Sequence, residues 1–403
     1  MKELRDLRAP GESDARRRAW ELAAAALDER APAAAAPRRP RRRSLAVAAA
    51  AIALLAAAVT PPGSAVADWL GDAVKSVVDA DPPPRNAGGL DALPGGGRVL
   101  VLADGAPAIA GDDAKRRLAG DADGAAWSPH ARFVAAIRGN ELAALDLHGE
   151  RRWSLAAPAP IERASWSPDG FRVAYATGAQ MRLVAGDGTG DRVVTQRRVR
   201  AGESAFAGLA WKPGSRHVLA YVDRRRVWVV DTDLRRVLWS RPAPDRPRPE
   251  FAPDGSRLLL TSRADVRVLR SRDGRALHRL PARLTGGARE REALRARPGT
   301  RLGGGVWNRA GTAFALVRQN GPRTEVLVTR TSAQRLRVRR LFVAGDLRIV
   351  AFSPDDRWLL VDWTETGTWL FLPLHGGRAR QLTGVARRFG ARNVVPQGWC
   401  CPP

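Results

Sequence analysis

Cysteine, methionine and tyrosine are nearly missing from this chain of 403 residues, which holds two of each and only five histidines. The two cysteines are neighbours, Cys400 and Cys401, close to the last residue. A metal site built on these two thiolates needs further ligands, and no histidine stands nearby in the sequence. Three states stay open for the pair: a strained ring between neighbours, a bond to another chain, or free thiols.

Sequence motifs of known chemistry are also absent. There is no Gly-x-Ser-x-Gly elbow, no phosphate loop and no nucleic-acid-binding motif. Gly186–Asp191 is rich in Gly and Asp, as calcium loops are, but it stands where a hairpin turn is due. The histidines are dispersed, and none forms a close metal-ligand pair with another: His130, His148, His217, His278 and His375. The sequence therefore predicts a protein that is not an enzyme and has no catalytic residues, cofactor or metal ion.

Lysine is rare as well, so arginine supplies nearly all of the positive charge in a chain whose net charge is +26. A compositional bias of the genome explains this in the plainest way, because it raises Arg, Ala and Gly together. A functional interpretation stays open beside it. A surface this basic attracts anionic partners, and such binding weakens steeply with salt.

What the chain does contain is a repeat, an aromatic residue followed by a Ser-Pro-Asp-Gly-like turn and then an apolar strand. The aromatic residues are Trp127, Trp166, Trp211, Phe251, Trp307 and Phe352, spaced 39, 45, 40, 56 and 45 residues apart. Proline presets φ in such a turn, and glycine adopts a conformation that other residues avoid. A period of about 40–45 residues with four short strands is typical of one propeller blade. Because the aspartates of the turns recur (Asp169, Asp254 and Asp355), we expect them to be structural rather than catalytic.

A degenerate unit at residues 90–102 precedes these six and brings the number of blades to seven, with six or eight left open. Stacking sheets around an axis buries both faces of each sheet, which a single sheet cannot do. The segment Arg392–Pro396 is placed to pair with the first blade and close the ring. We therefore predict an all-β fold, a propeller of about seven four-stranded blades, over residues 90–403.

These turn-and-strand units resemble the WD40-like and TolB-like propeller repeats of bacterial extracytoplasmic proteins. The unit at Trp307 departs from the pattern because it lacks the proline, and no unit has the Gly-His and Trp-Asp pairs of eukaryotic WD repeats. The resemblance implies a recognition platform and names no ligand.

Residues 44–67 contain no charged residue and follow the basic run Arg38–Arg43. This pattern predicts a single transmembrane helix with its N-terminus in the cytoplasm and the propeller exported. A cleaved signal peptide ending at Ala67 is the alternative. Residues 68–89 read as a juxtamembrane helix and a proline-rich spacer.

Residues 1–43 form a basic cytoplasmic tail in this interpretation, with a helix over residues 12–30. Trp20, Ala24 and Leu27 fall on one face of that helix, at spacings i, i+4 and i+7. Such a stripe fits the groove of a cytoplasmic partner. A marginal helix in a largely unfolded tail is the alternative.

The best candidate for a ligand site is the long insertion between the units at Phe251 and Trp307. Loops that exceed the minimum a scaffold needs are where binding residues concentrate. Five arginines gather there: Arg289, Arg291, Arg295, Arg297 and Arg301. A solvated loop without a ligand is the competing interpretation.

Together these features predict a membrane-anchored extracytoplasmic propeller that binds a protein or an anionic envelope component and signals inward through its tail. No nucleic-acid partner is expected. Two alternatives stay open. One is a hydrolase with its site in the axial channel, which needs acidic residues or histidines that converge at the inner strands. The other is a secreted structural envelope protein.

Overall fold

The computed structural model describes the backbone of residues 85–86 and 114 and, in full, residues 93–111, 115–118, 120–197, 205–214, 217–223, 226–243, 247–282, 300–331 and 336–401. The predicted tail, anchor and juxtamembrane helix lie outside these residues. Within the described part, no helix has the length and apolar character needed to cross a membrane.

The described residues form seven sheets, and each sheet is one blade of a propeller. A two-residue strand, β1 (Arg85–Asn86), comes before the first blade. Blade 1 consists of β2 (Arg98–Ala103), β3 (Ala106–Gly111), β4 (Ala114–Arg117) and the last strand of the chain, β29 (Val394–Cys400). Blade 2 consists of β5 (Gly124–Trp127), β6 (Phe133–Arg138), β7 (Glu141–Asp146) and β8 (Arg151–Ala156). Blade 3 consists of β9 (Ile161–Trp166), β10 (Arg172–Thr177), β11 (Gln180–Ala185) and β12 (Arg192–Gln196).

The remaining blades follow in chain order. Blade 4 consists of β13 (Phe206–Trp211), β14 (Val218–Asp223), β15 (Arg226–Asp231) and β16 (Arg236–Pro242). Blade 5 consists of β17 (Arg248–Phe251), β18 (Arg257–Thr261), β19 (Asp265–Arg270) and β20 (Ala276–Pro281). Blade 6 consists of β21 (Arg301–Trp307), β22 (Ala313–Asn320), β23 (Arg323–Thr331) and β24 (Leu336–Ala344). Blade 7 consists of β25 (Leu347–Phe352), β26 (Trp358–Trp363), β27 (Thr368–Pro373) and β28 (Arg380–Leu382).

Neighbouring strands within each blade are antiparallel, and one strand of every blade contacts its counterparts in the two adjacent blades. These seven innermost strands are β5, β9, β13, β17, β21, β25 and β29, and they form a closed ring. A 3-10 turn (Thr364–Thr366) and a short helix, α1 (Val385–Phe389), connect strands near the end of the chain. The seven four-stranded blades of the prediction are confirmed.

The hydrophobic core lies between the faces of adjacent blades. In the interface of blades 7 and 1, for example, Trp369, Phe371 and Trp399 pack with Val99 and Val101, all buried. Strands covered on both faces, such as β10, are nearly continuous runs of buried apolar residues. Along an outermost strand such as β8, by contrast, partly buried apolar residues alternate with exposed residues. A single blade would leave this surface in water, so the blades depend on their neighbours for stability.

The repeated turn works as the sequence predicts. In blade 3 the Gly170 N–H donates to the Ser167 carbonyl, and Gly170 has a φ of 77°. The Asp169 carboxylate accepts hydrogen bonds from the Ser167 hydroxyl at 2.5 Å and the Phe171 N–H at 3.0 Å. Ser167 is fully buried. The aspartate therefore fixes the turn from within.

Blade 6 reaches the same turn without its proline. The Asn308 carbonyl accepts the Gly311 N–H, and the Asn308 side chain accepts the Ala313 N–H at 2.8 Å. The carboxylate comes from the next blade, because Asp356 accepts the N–H groups of Arg309 and Ala310 at 2.7 Å. A neighbouring blade thus replaces what the local sequence lacks.

The last strand closes the ring. β29 pairs with β2 in antiparallel register from Ala103–Val394 to Arg98–Cys400. The predicted pairing of this segment with the first blade is confirmed, although the strand begins two residues later than Arg392. At its start, the Asp104 carboxylate accepts the Arg392 N–H at 3.0 Å.

Cys400 and Cys401 form a disulfide between neighbours, with their Cα atoms 3.8 Å apart. Of the three states left open by the sequence, the structure has the vicinal ring. It stands at the end of β29, directly after Trp399, whose indole N–H donates to the Gly96 carbonyl.

Candidate functional site: a groove between blades 3 and 4

The site residues predicted from the sequence fall mostly outside the described part of the chain. This holds for Arg289, Arg291, Arg295 and Arg297, and also for Trp20, Ala24 and Leu27. Arg301 is described. It is the first residue of β21 and is exposed, so it belongs to a blade rather than to the inserted loop.

In the described residues, no group of three or more His, Cys, Asp or Glu side chains is placed to hold a metal ion. His130 and His148 lie in turns between strands. Gly186–Asp191 forms the hairpin turn between β11 and β12, where the Asp187 carboxylate accepts the Thr189 N–H at 3.0 Å. His217 has carboxylates on both of its ring nitrogens, and this arrangement contributes to the groove described next.

Exposed apolar side chains are concentrated on one part of the propeller. Among the described residues, six large hydrophobic side chains are exposed, and five of them belong to blades 3 and 4: Phe171, Val193, Leu234, Val237 and Leu238. The exposed fractions reach 72% for Phe171 and 62% for Leu234. Single exposed hydrophobic residues are ordinary, but a cluster of them marks an interaction surface.

Two of these residues, Val193 and Val237, line a groove of about 350 Å³ between the outer strand of blade 3 and the outer half of blade 4, and Leu234 lies in the turn that carries the lining residue Arg235. Its walls are β12 on one side, β16 and the turn before it on the other. The groove is lined by Arg192, Val193, Val194, Thr195, Arg197, Tyr221, Trp228, Val230, Asp231, Thr232, Arg235, Arg236 and Val237. Four of these are arginines, and a single acidic residue stands against them.

An aromatic stack forms one end of the groove. The rings of Tyr221 and Trp228 are stacked, with centroids 6.4 Å apart. The guanidinium groups of Arg197 and Arg226 lie 5.1 Å and 5.5 Å from the Trp228 ring, within range of a cation–π contact. Asp223 anchors the stack, because it accepts the Arg197 Nε–H at 2.7 Å and the Trp228 indole N–H at 2.9 Å.

Positive charge is crowded on the opposite side of the groove. Burial lowers the pKa of Arg192, and the positive charges of Arg235 and Arg172 lower it further, against the opposing effect of Asp233. The Arg192 guanidinium donates to the Thr232 carbonyl at 2.7 Å. The mutual repulsion of these arginines makes the groove a favourable place for an anionic group.

The one acidic residue among the described residues of the lining is already engaged. Asp231 is buried, and its carboxylate accepts the N–H groups of Asp233 and Leu234 at 3.1 Å and 2.9 Å. These bonds shape the turn between β15 and β16 that carries Leu234 and Arg235. Asp231 therefore holds the rim in place and leaves the arginines to face the groove.

A polar network fixes the spacing of blades 3 and 4 beside the groove. His217, in the loop before β14, lies 2.6 Å from Asp169 of blade 3 through Nε2 and 2.7 Å from Asp233 of blade 4 through Nδ1. Arg172 completes the network with an ion pair to Asp233 at 2.6 Å. The His217 ring thus contacts one carboxylate of each blade. The groove is therefore preformed, as recognition sites commonly are.

Burial raises the pKa of Asp169, but the hydrogen bonds from the Ser167 hydroxyl and the Phe171 N–H, together with His217, outweigh it. The net pKa of Asp169 lies below its ordinary value. Asp169 is thus ionised at neutral pH and serves as a hydrogen-bond acceptor for its partners.

The sequence carried two signals for this site. The outer strand β12 begins Arg-Val-Val, and Arg235-Arg236-Val237-Leu238 leads into the outer strand of the next blade. Apolar residues on outermost strands are unexpected unless something covers them. Only the fold shows that these two segments, some 40 residues apart, face each other.

No protein-family model matches the chain, and no curated protein matches it. Solved structures do. The C-terminal WD40 domain of Sif2 is 13% identical, with 72% of this chain and 80% of that chain covered and a TM-score of 0.50. A functionally unknown protein from Desulfotomaculum acetoxidans is 11% identical, with 74% and 99% covered and a TM-score of 0.51.

The β-propeller domain of Cps50 (Swd1) from Myceliophteria thermophila is 14% identical over 66% of this chain and 88% of that chain, with a TM-score of 0.49. At these identities the likeness concerns the fold alone. The chain has the β-propeller fold that WD40 domains also have, and a fold by itself does not establish a function.

Proposed function

We propose that this protein is a non-catalytic binding module whose propeller holds a protein partner in the groove between blades 3 and 4. The observation that carries the proposal is that the groove combines two exposed apolar side chains, Val193 and Val237, with four arginines in its lining. Apolar contact area and arginine are what the centres of protein interfaces contain.

The experiment is site-specific photo-crosslinking with the full-length protein expressed in its own cells. A photoreactive residue replaces Leu234 on the groove rim in one strain and Leu277 in another. Leu277 lies on the outer strand of blade 5, is also exposed, and does not line the groove. We expect a discrete crosslinked partner from position 234 and none from position 277.

The double variant Arg235→Glu/Arg236→Glu should abolish the crosslink from position 234 while the protein stays at its normal abundance. If both positions give the same products, or if neither gives any product, the groove is not the binding site. When position 234 does give a discrete product, mass spectrometry of that product tells whether the partner is a protein or an envelope polymer.

We further propose that the propeller is anchored in a membrane by residues 44–67, with the first 43 residues in the cytoplasm and able to signal inward. The support is the uncharged segment with arginines before it, together with the resemblance to TolB-like extracytoplasmic repeats. The intact mass of the membrane-extracted protein, paired with protease protection in spheroplasts, tests this. A full-length chain with residues 1–43 protected supports the anchor. A mature chain that begins at Asp68 contradicts it and removes any role for Trp20, Ala24 and Leu27.

A further inference from the structure

We propose that the groove takes an extended, acidic and apolar segment of its partner as a fifth strand on the outer edge of blade 3. This inference rests on the proposed binding function and specifies how the partner is recognised. Strand addition supplies affinity through backbone hydrogen bonds, and side chains then supply specificity.

The outer edge of blade 3 is available for such pairing. β12 pairs with β11 on one side, from Gln180–Gln196 to Leu183–Arg192, and it is the last strand of its sheet in the described part of the chain. Four consecutive residues of β12, Arg192–Thr195, line the groove. An added strand would therefore lie inside the groove rather than away from it.

The molecule already contains one example of this arrangement. On blade 7, β1 adds in parallel to the outer strand β28, with Arg85 opposite Arg380 and Asn86 opposite Gln381. A blade of this propeller thus accepts a fifth strand at its outer edge. Blade 3 offers the equivalent edge, with a groove beside it.

The charges of the groove select an acidic segment. Arg235 and Arg236 line the groove, and neither forms an ion pair with any residue of the described part of the chain. Arginine pairs with a carboxylate through two parallel hydrogen bonds, which favours Asp and Glu over other anions of a polypeptide. Because Asp231 is occupied by backbone N–H groups, it does not cancel this preference.

The apolar part of the lining selects β-branched or aromatic residues between the acidic ones. Val193, Val237 and the stacked Trp228 ring provide the contact surface. Side chains of an extended strand alternate between two faces. A sequence that alternates Glu with Val therefore carries its Glu side chains on one face of the added strand, for the arginines, and its Val side chains on the other, for the apolar lining.

The test measures fluorescence anisotropy of labelled decapeptides with the full-length protein in mild detergent. The main probe alternates Glu and Val. A second peptide alternates Lys and Val, and a third alternates Glu and Ser. A fourth has the main sequence with N-methyl groups on every other residue, which removes the donors of one strand edge and keeps every side chain.

Two double variants are compared with the wild type. Arg235→Glu/Arg236→Glu reverses charge in the groove. Arg330→Glu/Arg337→Glu is the matched control, because this exposed pair lies opposite each other on β23 and β24 of blade 6. Both variants change the net charge equally.

We expect the Glu–Val peptide to bind the wild type and the control alike and to bind the groove variant at least about tenfold more weakly. The other three peptides should each bind the wild type at least about tenfold more weakly than the main probe. Equal affinity for the N-methylated peptide overturns strand addition. Equal weakening in the two double variants overturns the groove as its place.

The crosslinking and peptide experiments distinguish a failure of strand addition from a failure of the proposed binding function. If crosslinking from position 234 succeeds while all the peptides fail, the groove binds a partner without strand addition. If crosslinking fails as well, the binding function itself is wrong.

Discussion

The carboxylate of Glu250 in blade 5 accepts a hydrogen bond from the backbone N–H of Trp307 in blade 6, with an O–N distance of 2.9 Å. The Trp307 indole N–H donates in turn to the Glu250 carbonyl at 3.3 Å. The glutamate side chain retains some accessible surface, but its carboxyl group is enclosed by protein. Burial raises the pKa of Glu250 to about 8, against the lowering effect of the Trp307 N–H.

The raised pKa makes the stability of the propeller depend on pH. The folded state holds the proton of Glu250 up to a pH of about 8, whereas the unfolded chain releases it near the ordinary glutamate pKa of 4.5. The contribution of Glu250 to the free energy of unfolding is therefore fully present below pH 4.5 and is lost as the pH rises towards 8. Glu250→Gln keeps an acceptor without a charge. We expect the free energy of unfolding of this variant, measured with urea, to exceed that of the wild type by about 1–3 kcal/mol at pH 9 and to match it at pH 5. If Glu250→Gln were less stable than the wild type at pH 9, the raised pKa of Glu250 would be contradicted.

A second prediction concerns the hydrogen bonds of His217, which connect blades 3 and 4. Asp169→Asn removes a carboxylate that holds both a turn and the imidazole of the next blade. We expect a loss of about 2 kcal/mol in the free energy of unfolding at pH 7. Because the folded pKa of Asp169 is lowered, this contribution is present at neutral pH and is lost as the pH falls through that pKa.

Asp254 supplies the matched control for this effect. It occupies the same position of the turn in blade 5 and accepts the Ser256 N–H and hydroxyl, with no histidine among its partners. We expect Asp254→Asn to cost about 1 kcal/mol or less, and to leave peptide binding in the groove unchanged. Equal costs for the two substitutions would mean that His217 does not couple the blades.

Ring closure predicts a large effect for one tryptophan. Trp399 is buried, packs edge-to-face on Phe371 at 5.6 Å and donates to the Gly96 carbonyl at 2.8 Å. We expect Trp399→Ala to cost about 3–5 kcal/mol in urea unfolding. Leu277→Ala, at an exposed site, should change the free energy of unfolding by less than about 0.5 kcal/mol. A small effect of Trp399→Ala would show that β29 contributes little to the ring.

The vicinal disulfide predicts a small effect. Cys400 and Cys401 are adjacent, so their bond closes no length of chain and restricts the unfolded state little. We expect Cys400→Ser/Cys401→Ser to change the free energy of unfolding by less than about 1 kcal/mol. The mass of the wild-type protein before and after reduction checks that the bond is present. A loss comparable to that of Trp399→Ala would contradict this expectation.

Local patterns were enough to predict the blades. Trp166, Asp169 and Gly170 define a turn whose geometry is set within a few residues. Repetition of that turn predicted six blades, a degenerate unit at residues 90–102 the seventh, and the position of residues 392–396 the closing segment. The turn at Trp307 shows where this logic stops. This turn lacks both the proline and the aspartate of the pattern, and a carboxylate comes instead from Asp356 of the next blade, a contact that no local pattern contains.

The groove was not predicted, for the same physical reason. Its residues come from β12, β14, β15 and β16 and meet only after two blades have packed. The pairing of His217 with Asp169 spans 48 residues. The spacing of the repeats instead favoured the longest insertion as the ligand site, because the spacing shows the length of a loop but not which outer strands lie side by side.

The pairing of β2 with β29 also has a consequence for biosynthesis. Blade 1 receives three strands from near residue 100 and its innermost strand from near residue 400. On the ribosome, six blades can stack in order as they emerge, while the edge of β2 that awaits its partner stays unpaired until β29 has left the exit tunnel. During that interval the nascent chain exposes an unpaired edge strand, and it is then that a chaperone would be needed most.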